Sequence, residues 1–428
     1  MNARLLLVCS LLSVTPAFAQ ETALEALRTA ARAAPRDYDA QLALGRAMLE
    51  AGRYREAEAQ LRRAAGLRRG DAQALYEVAR VAFEQHNHQR ARSQCRAVAA
   101  AANAGTLGRV CNARAFLAWN RSARAFEELE AALAQAPNDY EALLALGEAH
   151  RLRAAVAEAE SAYRRAIEAR PDAADPHLGL GRLYAAAGRR DEAIAALRRA
   201  LELDADDPDV AFELGRMLGT TPEAQDLLTT ASAGRPGWAE PIVALGDVLL
   251  ALGQFEPAIT RFREAARRDS HSAAARAGLG RALTGQGNMQ EAESTLRDAL
   301  ELVPNDFTSV LGLADVFART EREEEAYEQY RQAANLDPRN PAPLLHAAEL
   351  AIRQNRGVLA SGFLDRVLQQ QPNLAQALAL YGDVMRERRD VTRARDYYQR
   401  ALRGTGELER ARVEQALREL AQPAPPRR

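Results

Sequence analysis

A pattern of small and large apolar residues repeats every 34 residues along most of the chain. An alanine recurs at this spacing, a large apolar residue follows it by four positions, and a further small residue comes three positions later. Spacings of three and four place these side chains on one face of a helix. The alanine column consists of Ala57, Ala91, Ala125, Ala159, Ala193, Ala258, Ala292, Ala326, Ala360 and Ala394, with Ala224 as its member in a shortened segment.

A second column of small residues lies on the segment before each alanine. Leu146 with Gly147 and Leu180 with Gly181 are clear examples. Two helices can approach closely where such small side chains meet, and large apolar residues then fill the space beside the crossing. Proline followed by Asn and Asp, as at 136–139, ends one helix and caps the next. Each segment of the repeat is therefore predicted to be a helical hairpin.

The segments LALGEAHRLRAAVAEAESAYRRAIEARPD (144–172) and GLGRLYAAAGRRDEAIAALRRALELD (179–204) resemble tetratricopeptide repeats. The resemblance implies an all-α fold, a right-handed α-solenoid of about eleven helix-turn-helix units of 34 residues with a C-terminal capping helix. It also implies that the first helix of each hairpin lines a concave groove.

The repeat divides the chain into predicted segments. Residues 20–37 form a lone half-repeat helix, 38–408 the solenoid and 409–421 the capping helix. Residues 422–428, QPAPPRR, are expected to be disordered. The hairpin that begins near residue 106 fits the pattern poorly, because one register buries Arg109 and Asn112 and the other brings Arg114 to a small-residue position. Its register stays open.

Residues 1–19 are predicted to be a secretory signal peptide, because Arg4 precedes a short apolar run and an A-x-A cleavage site ends at Ala19. Lipoprotein acylation at Cys9 is disfavoured, since Val8 stands where a small residue is required. The short leader and the alanine- and arginine-rich composition look bacterial. The mature protein is expected to be exported to the periplasm, without a transmembrane segment.

The resemblance implies partner-binding positions on the first helices. At the fifth position of the helix the residues are apolar, and at the ninth they are charged, with basic residues towards the N-terminal half and acidic residues towards the C-terminal half. An extended peptide or a partner helix would use the apolar side chains as anchors and the charges for direction. The alternative is that neighbouring helices bury the apolar set. The predicted groove residues are Leu42, Tyr76, Leu144, Leu178, Phe212, Val243, Leu311 and Leu345, with Arg46, Arg80, Arg182, Arg216, Asp315, Glu349 and Asp383.

Composition removes several classes of function. The formal net charge of −1 gives no overall attraction to nucleic acid. All 57 basic residues other than histidine are arginine, and a phosphate-binding loop or a Schiff-base enzyme needs lysine. We find no catalytic motif, and His86 with His88 is typical of a solvated turn rather than a metal site. The chain is predicted to be a non-enzyme with no cofactor and no metal.

Cys95 and Cys111 are the two cysteines outside the leader. They lie on helices that are neighbours in a stack of hairpins, and an exported protein enters an oxidising compartment, so a disulfide is the favoured prediction. Two small buried thiols are the alternative.

These observations predict a protein-binding scaffold or assembly factor of the bacterial cell envelope that holds a segment of an envelope protein in its groove. The alternative is a carbohydrate-interacting subunit of a polysaccharide synthesis or export system. The sequence identifies neither the partner nor the oligomeric state.

Overall fold

The computed structural model describes residues 16–235 and 237–421, with side chains from residue 22 onward. The predicted leader up to residue 15, including Cys9, and the tail 422–428 lie outside the described residues. The described residues form 24 helices, and the predicted all-α fold class, a helical repeat solenoid, is confirmed. The helices group into two compact units, and the boundary between them along the chain falls between Val248 and Leu249.

The helices follow one another as antiparallel hairpins joined by short turns. A lone helix, α1, comes first, eleven hairpins from α2/α3 to α22/α23 follow, and α24 comes last. Their bounds are α1 (Pro16–Ala33), α2 (Tyr38–Glu50), α3 (Tyr54–Leu67), α4 (Ala72–Glu84), α5 (His88–Ala99), α6 (Gly105–Ala118), α7 (Ser122–Gln135), α8 (Tyr140–Leu152), α9 (Val156–Ala169), α10 (Asp175–Ala186), α11 (Arg190–Leu203), α12 (Pro208–Leu218), α13 (Pro222–Gly234), α14 (Glu240–Ala251), α15 (Phe255–Arg268), α16 (Ala273–Gln286), α17 (Met289–Leu302), α18 (Phe307–Arg319), α19 (Glu323–Leu336), α20 (Ala342–Arg353), α21 (Gly357–Gln370), α22 (Ala375–Glu387), α23 (Val391–Arg403) and α24 (Arg410–Ala421).

The two columns of small residues lie where the helices touch. Every alanine of the column that begins at Ala57 has no exposed surface. The ring of Tyr163 fills the space beside its own hairpin's Gly147 and the next hairpin's Gly179, where an added Cβ atom would stand 2.6 Å and 2.5 Å from ring carbons. Large aromatic residues therefore pack within a hairpin and between hairpins at once.

The turn inside each hairpin contains one residue with a left-handed backbone conformation. Glycine supplies it in Gly188, where φ is 74°, whereas Ala154 adopts φ of 55° at the equivalent position. Glycine reaches this region without the steric cost that a Cβ atom brings. The complete series is Gly52, His86, Asn120, Ala154, Gly188, Gly219, Gly253, Gly287, Glu321, Asn355 and Arg389.

Aspartates begin many of the first helices. The side chain of Asp139 accepts a 2.8 Å hydrogen bond from the backbone N–H of Ala142, and Asp71, Asp207 and Asp306 cap their helices in the same way. A cap of this kind satisfies a backbone donor that the helix leaves free. The Asp residues between hairpins thus set where these first helices start.

The structure settles the register of the hairpin near residue 106. Val110 and Ala113 are fully buried, whereas Arg109 and Asn112 are partly exposed. Arg114 is partly buried, and its charge is compensated by the ring of Tyr76, with 5.7 Å from its guanidinium carbon to the ring centre, and by pairing with Glu141 at 3.4 Å. Its long side chain explains how an arginine occupies a small-residue position.

Helices α1 and α24 cover the first and last hairpins. The buried amide of Gln41 donates a 2.8 Å hydrogen bond to the carbonyl oxygen of Ala31, which ties α1 to α2. Arg412 of α24 donates a 2.8 Å hydrogen bond to Asp383 of the last hairpin. Across residues 16–235 and 237–421 we find no helix with the length and apolarity that crossing a membrane requires.

Candidate functional site

The N-terminal unit contains a cavity of about 1270 Å³, lined mainly by first helices. The helices α2, α4, α6, α8 and α10 contribute to its wall because successive hairpins present the same face of the repeat. Leu144 and Leu178 lie on the wall, and Leu152 stands at its edge with 56% of its surface exposed. A cavity of this size has room for a segment of another chain.

Helix α1, which precedes the first hairpin, also borders this cavity. It contributes Leu24 and Leu27 to the wall and packs against α13 of the sixth hairpin. The turn at Gly52 also lies beside Arg235, because a Cβ atom placed on Gly52 would be 3.5 Å from the Cγ of that arginine. The first and sixth hairpins of the N-terminal unit therefore meet across its concave side.

The cavity of the N-terminal unit has many more acidic than basic residues. Nine carboxylates and four arginines line it. The arginines are paired with carboxylates: Arg182 contacts Glu213 at 2.9 Å and Asp209 at 3.2 Å, and Arg80 contacts Glu77 at 3.0 Å. The arginine charges are thus largely neutralised by the protein, and the wall keeps an excess of negative charge.

The acidic side chains crowd at the part of the wall that Glu50 of α2 shares with the segment between α11 and α12. Burial and the charges of Asp209 and Asp204 raise the pKa of Asp207 to about 6, although its two cap hydrogen bonds oppose this shift. Burial also raises the pKa of Glu50; the charge of Arg80 opposes this shift, and the charge of Asp204 adds to it. Desolvation and mutual repulsion both disfavour the charged carboxylates at this end of the cavity.

The C-terminal unit has a smaller concave pocket of about 380 Å³. Its polar centre is Asp315, which accepts a 2.7 Å hydrogen bond from the Tyr330 hydroxyl and lies 3.1 Å from Nδ1 of His346. The hydrogen bond to Asp315 raises the pKa of His346, and burial opposes it. Arg319 and Arg353 lie on the same wall.

The charges of the two concave surfaces differ from the sequence prediction. Basic residues were expected in the N-terminal half, yet the cavity there is predominantly acidic. In the C-terminal pocket three arginines line the wall with only two carboxylates. The prediction considered a single position on each first helix, whereas turns and neighbouring positions contribute most of the charge.

The apolar positions predicted for the groove are only partly accessible. Leu42, Tyr76, Leu178 and Leu345 are buried by neighbouring helices, with exposed fractions of 7%, 2%, 7% and 3%. Leu178 still borders the cavity, but Leu42, Tyr76 and Leu345 do not line either concave surface described above. Leu144, Phe212, Val243 and Leu311 remain half-buried, and among these only Leu144 lies on the cavity wall.

Several charged residues predicted for the groove form ion pairs or hydrogen bonds that hold helices together. Arg46 pairs with Glu77 of the next hairpin at 2.8 Å. Asp383 is 7% exposed because it accepts a 2.6 Å hydrogen bond from Tyr398 and another from Arg412 of α24. Asp383 is therefore largely buried beside the capping helix.

The remaining charged positions are more accessible. Arg216 is exposed beside Glu213, and Glu349 accepts a 3.3 Å hydrogen bond from the amide of Gln376. Arg80 and Arg182 line the cavity of the N-terminal unit, whereas Asp315 and Glu349 line the pocket of the C-terminal unit.

Sequence reasoning missed two features of the site. Glu77 is 2% exposed and pairs with both Arg46 and Arg80. Glutamate is normally exposed to solvent, so its burial here is not expected from the sequence. The acidic end of the cavity was also missed, although the run DADDPD at 204–209 is visible in the sequence. Such a run of like charge is normally solvated, whereas here it lies on a concave wall together with Glu50 of α2.

Cys95 of α5 and Cys111 of α6 form a disulfide, and both residues have no exposed surface. The bond joins two consecutive hairpins at the place where the repeat pattern is weakest. In the described part of the chain we find no group of three His, Cys, Asp or Glu residues able to hold a metal ion.

Comparisons with known proteins identify the repeat. Models of the tetratricopeptide repeat match residues 21–75, 112–174, 151–211, 243–307 and 286–341. No curated protein is similar to the chain at a significant level.

Several solved structures are similar to the chain. Yeast Tom70 aligns with a TM-score of 0.50 and 12% identity over 94% of this chain and 92% of its own. A tetratricopeptide repeat protein from Parabacteroides merdae aligns with a TM-score of 0.48 and 16% identity, covering 58% of this chain and 99% of its own. YrrB, a tetratricopeptide repeat protein with an unusual peptide-binding site, gives 0.34 and 24%, covering 42% and 94%.

Proposed function

The chain is a tetratricopeptide repeat protein, and we propose that it is a non-catalytic scaffold that holds a segment of a partner protein in the concave cavity of its N-terminal unit. The observation that carries this proposal is the cavity itself. Its volume of about 1270 Å³ is accompanied by apolar side chains, among them Leu144 and the exposed Leu152. Apolar anchors beside charged groups suit the capture of a peptide segment.

The proposal includes the compartment. The leader-like residues 1–19 and the cysteine pair support export to the periplasm, where a disulfide can persist. A scaffold in this compartment would assemble proteins of the bacterial cell envelope. The repeat architecture supports such a role, because each hairpin contacts its neighbours and leaves an extended concave surface for a partner.

Site-specific crosslinking tests the proposal. A photo-activatable residue replaces Leu152 at the cavity edge in the full exported chain, native envelopes are illuminated, and crosslinked products are identified by mass spectrometry. The matched control carries the same residue at Val358, which is 81% exposed and lies outside the concave surfaces. We expect a defined set of envelope proteins to crosslink at position 152 and not at position 358.

A substitution checks that the cavity causes the capture. Leu152→Asp should abolish the crosslinks formed from another cavity position, such as Leu144, whereas Val358→Asp should leave them unchanged. Helicity measured by circular dichroism should be the same in both variants, because both side chains are exposed. Enrichment of envelope polysaccharide without any crosslinked protein would overturn the scaffold proposal in favour of the carbohydrate-interacting alternative.

A further inference from the structure

We propose that the segment held in the cavity of the N-terminal unit is basic, with arginine or lysine side chains directed at the acidic end formed by Glu50, Asp204 and Asp206. This inference rests on the proposed function, since it specifies the chemistry of the partner segment that the cavity holds. Charge complementarity carries it, because opposite charges across an interface select partners and raise the rate of encounter.

The arginines of the cavity are already used by the protein. Arg80 and Arg114 pair with Glu77 and Glu141 of neighbouring first helices, at 3.0 Å and 3.4 Å. Arg182 bridges Asp209 and Glu213, and Arg235 also pairs with Asp209. An acidic segment would have to displace these contacts to reach a cation.

Most carboxylates of the cavity, in contrast, have no arginine partner within the described residues. Glu148 pairs with Arg151 at 2.6 Å, and Asp209 pairs with two arginines. The seven others that line the wall form no ion pair there: Glu50, Glu84, Asp172, Asp175, Asp204, Asp206 and Asp207.

Crowding of like charge on one wall makes this excess of negative charge unfavourable without an occupant. The raised pKa values of Glu50 and Asp207 reflect the desolvation and repulsion at this end of the cavity. A guanidinium or ammonium group placed there would relieve both effects at once, because it supplies opposite charge and hydrogen-bond donors.

The remaining wall suits the shape of basic side chains. Leu117, Leu144 and Leu178 line the cavity beside the charged residues. Arginine and lysine bury their aliphatic stems against apolar surface while their charged ends reach polar groups. A basic segment with interspersed apolar residues would therefore use both parts of the wall.

Fluorescence anisotropy with a defined peptide tests the inference. The probe is a fluorescein-labelled peptide of about four Arg-Leu-Ser repeats, and its matched counterpart replaces each Arg with Glu. The full chain is compared with the double variant Asp204→Asn and Asp206→Asn. These two side chains are exposed and make no ion pair with any residue that the structure describes, so the fold should persist.

The control variant removes the same number of charges elsewhere in the unit. Asp191→Asn with Asp226→Asn changes two exposed aspartates that do not line the cavity. We expect the basic probe to bind the unaltered chain and the control alike, about ten-fold more weakly to the cavity variant at low salt, and the acidic probe not to compete. Circular dichroism on each variant confirms equal helicity.

Two results would overturn the inference. One is equal binding of the basic probe to the cavity variant and the control, and the other is tighter binding of the acidic probe. Either result leaves the crosslinking test at Leu152 intact, so the scaffold proposal would stand with a partner of different charge. A failed crosslinking test with a positive probe titration would instead remove the scaffold role and leave the preference for a basic ligand.

Discussion

Ala154 and Gly188 occupy the same turn position in consecutive hairpins, and both have a left-handed backbone conformation, with φ of 55° and 74°. An alanine there accepts a steric cost that glycine avoids. We expect Ala154→Gly to stabilise the protein by about 0.5–1 kcal/mol, because the relief of strain exceeds the added entropy of the unfolded chain. Urea denaturation gives the difference as a shift of the midpoint at constant slope.

The reverse substitution is the control. Gly188→Ala should destabilise by about 1–2 kcal/mol. No atom lies within 4 Å of a Cβ placed on Gly188, so the effect would be conformational and not a clash. Equal stabilities of the two variants and the unaltered protein would show that the turn relaxes out of the left-handed region.

Glycines inside the helices have two different roles. A Cβ atom on Gly147 would stand 2.6 Å from the Cδ1 atom of Tyr163, whereas a Cβ on Gly362 in α21 meets nothing within 4 Å. Gly147→Ala should cost about 1–3 kcal/mol through overpacking, and Gly362→Ala should stabilise by about 1 kcal/mol through helix propensity. The free energies of unfolding of the two variants are measured by chemical denaturation, followed by far-ultraviolet circular dichroism.

A variant at Tyr163 identifies the cause. In a Tyr163→Ala background the ring is missing, so Gly147→Ala should no longer destabilise relative to that background. A penalty that persists without the ring would mean that the clash lies with another atom, and it would argue against the close approach of α8 and α9 at this point.

The period of 34 residues was sufficient to predict the hairpins, because the crossing of two helices needs small side chains at fixed positions. The alanine column and the Leu-Gly pairs therefore appear at their expected places in the core. The hairpin near residue 106 resisted this reasoning. Val110 and Ala113 face inward only because Arg114 finds both the ring of Tyr76 and the carboxylate of Glu141, and these partners come from other hairpins.

The concave surface was harder to predict than the core. The sequence places Tyr76 and Leu345 on the face that the family uses for partners, but the packing of adjacent first helices buries both. The predicted distribution of charge differs from the structure for a related reason. Asp383 is engaged by Tyr398 and Arg412, and the acidic end of the N-terminal cavity is formed by Glu50 of α2 together with the segment between α11 and α12. Contacts between distant hairpins leave no periodic trace in the sequence.

The disulfide between Cys95 and Cys111 should stabilise the weakest part of the repeat. It closes a loop with a sequence separation of 16 residues. In the loop-entropy account such a bond contributes about 3 kcal/mol. We expect Cys95→Ala with Cys111→Ala to unfold at lower urea concentration, with hydrogen exchange in α5 and α6 accelerated more than in α22 and α23.

Reductant provides the control for this prediction. Unfolding of the unaltered protein in dithiothreitol should approach that of the double alanine variant, and dithiothreitol should have no effect on the variant itself. A urea midpoint that is the same for the oxidised protein and the variant would contradict a stabilising bond. Repeat proteins can unfold in parts, so exchange is read helix by helix.

Asp207 should make the stability of the N-terminal unit depend on pH. Burial and the charges of Asp209 and Asp204 raise its pKa from an ordinary value of 3.8 to about 6 in the folded protein. Above the ordinary value the unfolded chain releases the proton first, so the folded state is favoured less as the pH rises. The stabilising contribution is complete below pH 3.8 and is lost as the pH rises through 6.

Asp207→Asn isolates this effect, because asparagine can still accept the cap hydrogen bonds that Asp207 now takes from the backbone N–H groups of Asp209 and Val210. We expect the variant to be more stable than the unaltered protein by about 1 kcal/mol at pH 8 and nearly equal to it at pH 4. Asp139→Asn changes the equivalent cap of α8, where Thr106 and Ala142 both donate hydrogen bonds to the carboxylate, and should not gain stability above pH 6. Urea titrations at a series of pH values measure this difference in stability. A difference between Asp207→Asn and the unaltered chain that stays constant from pH 4 to pH 8 would show that the Asp207 carboxyl is charged throughout. The repulsion at the acidic end of the cavity would then have to be relieved by movement of α1 or α2.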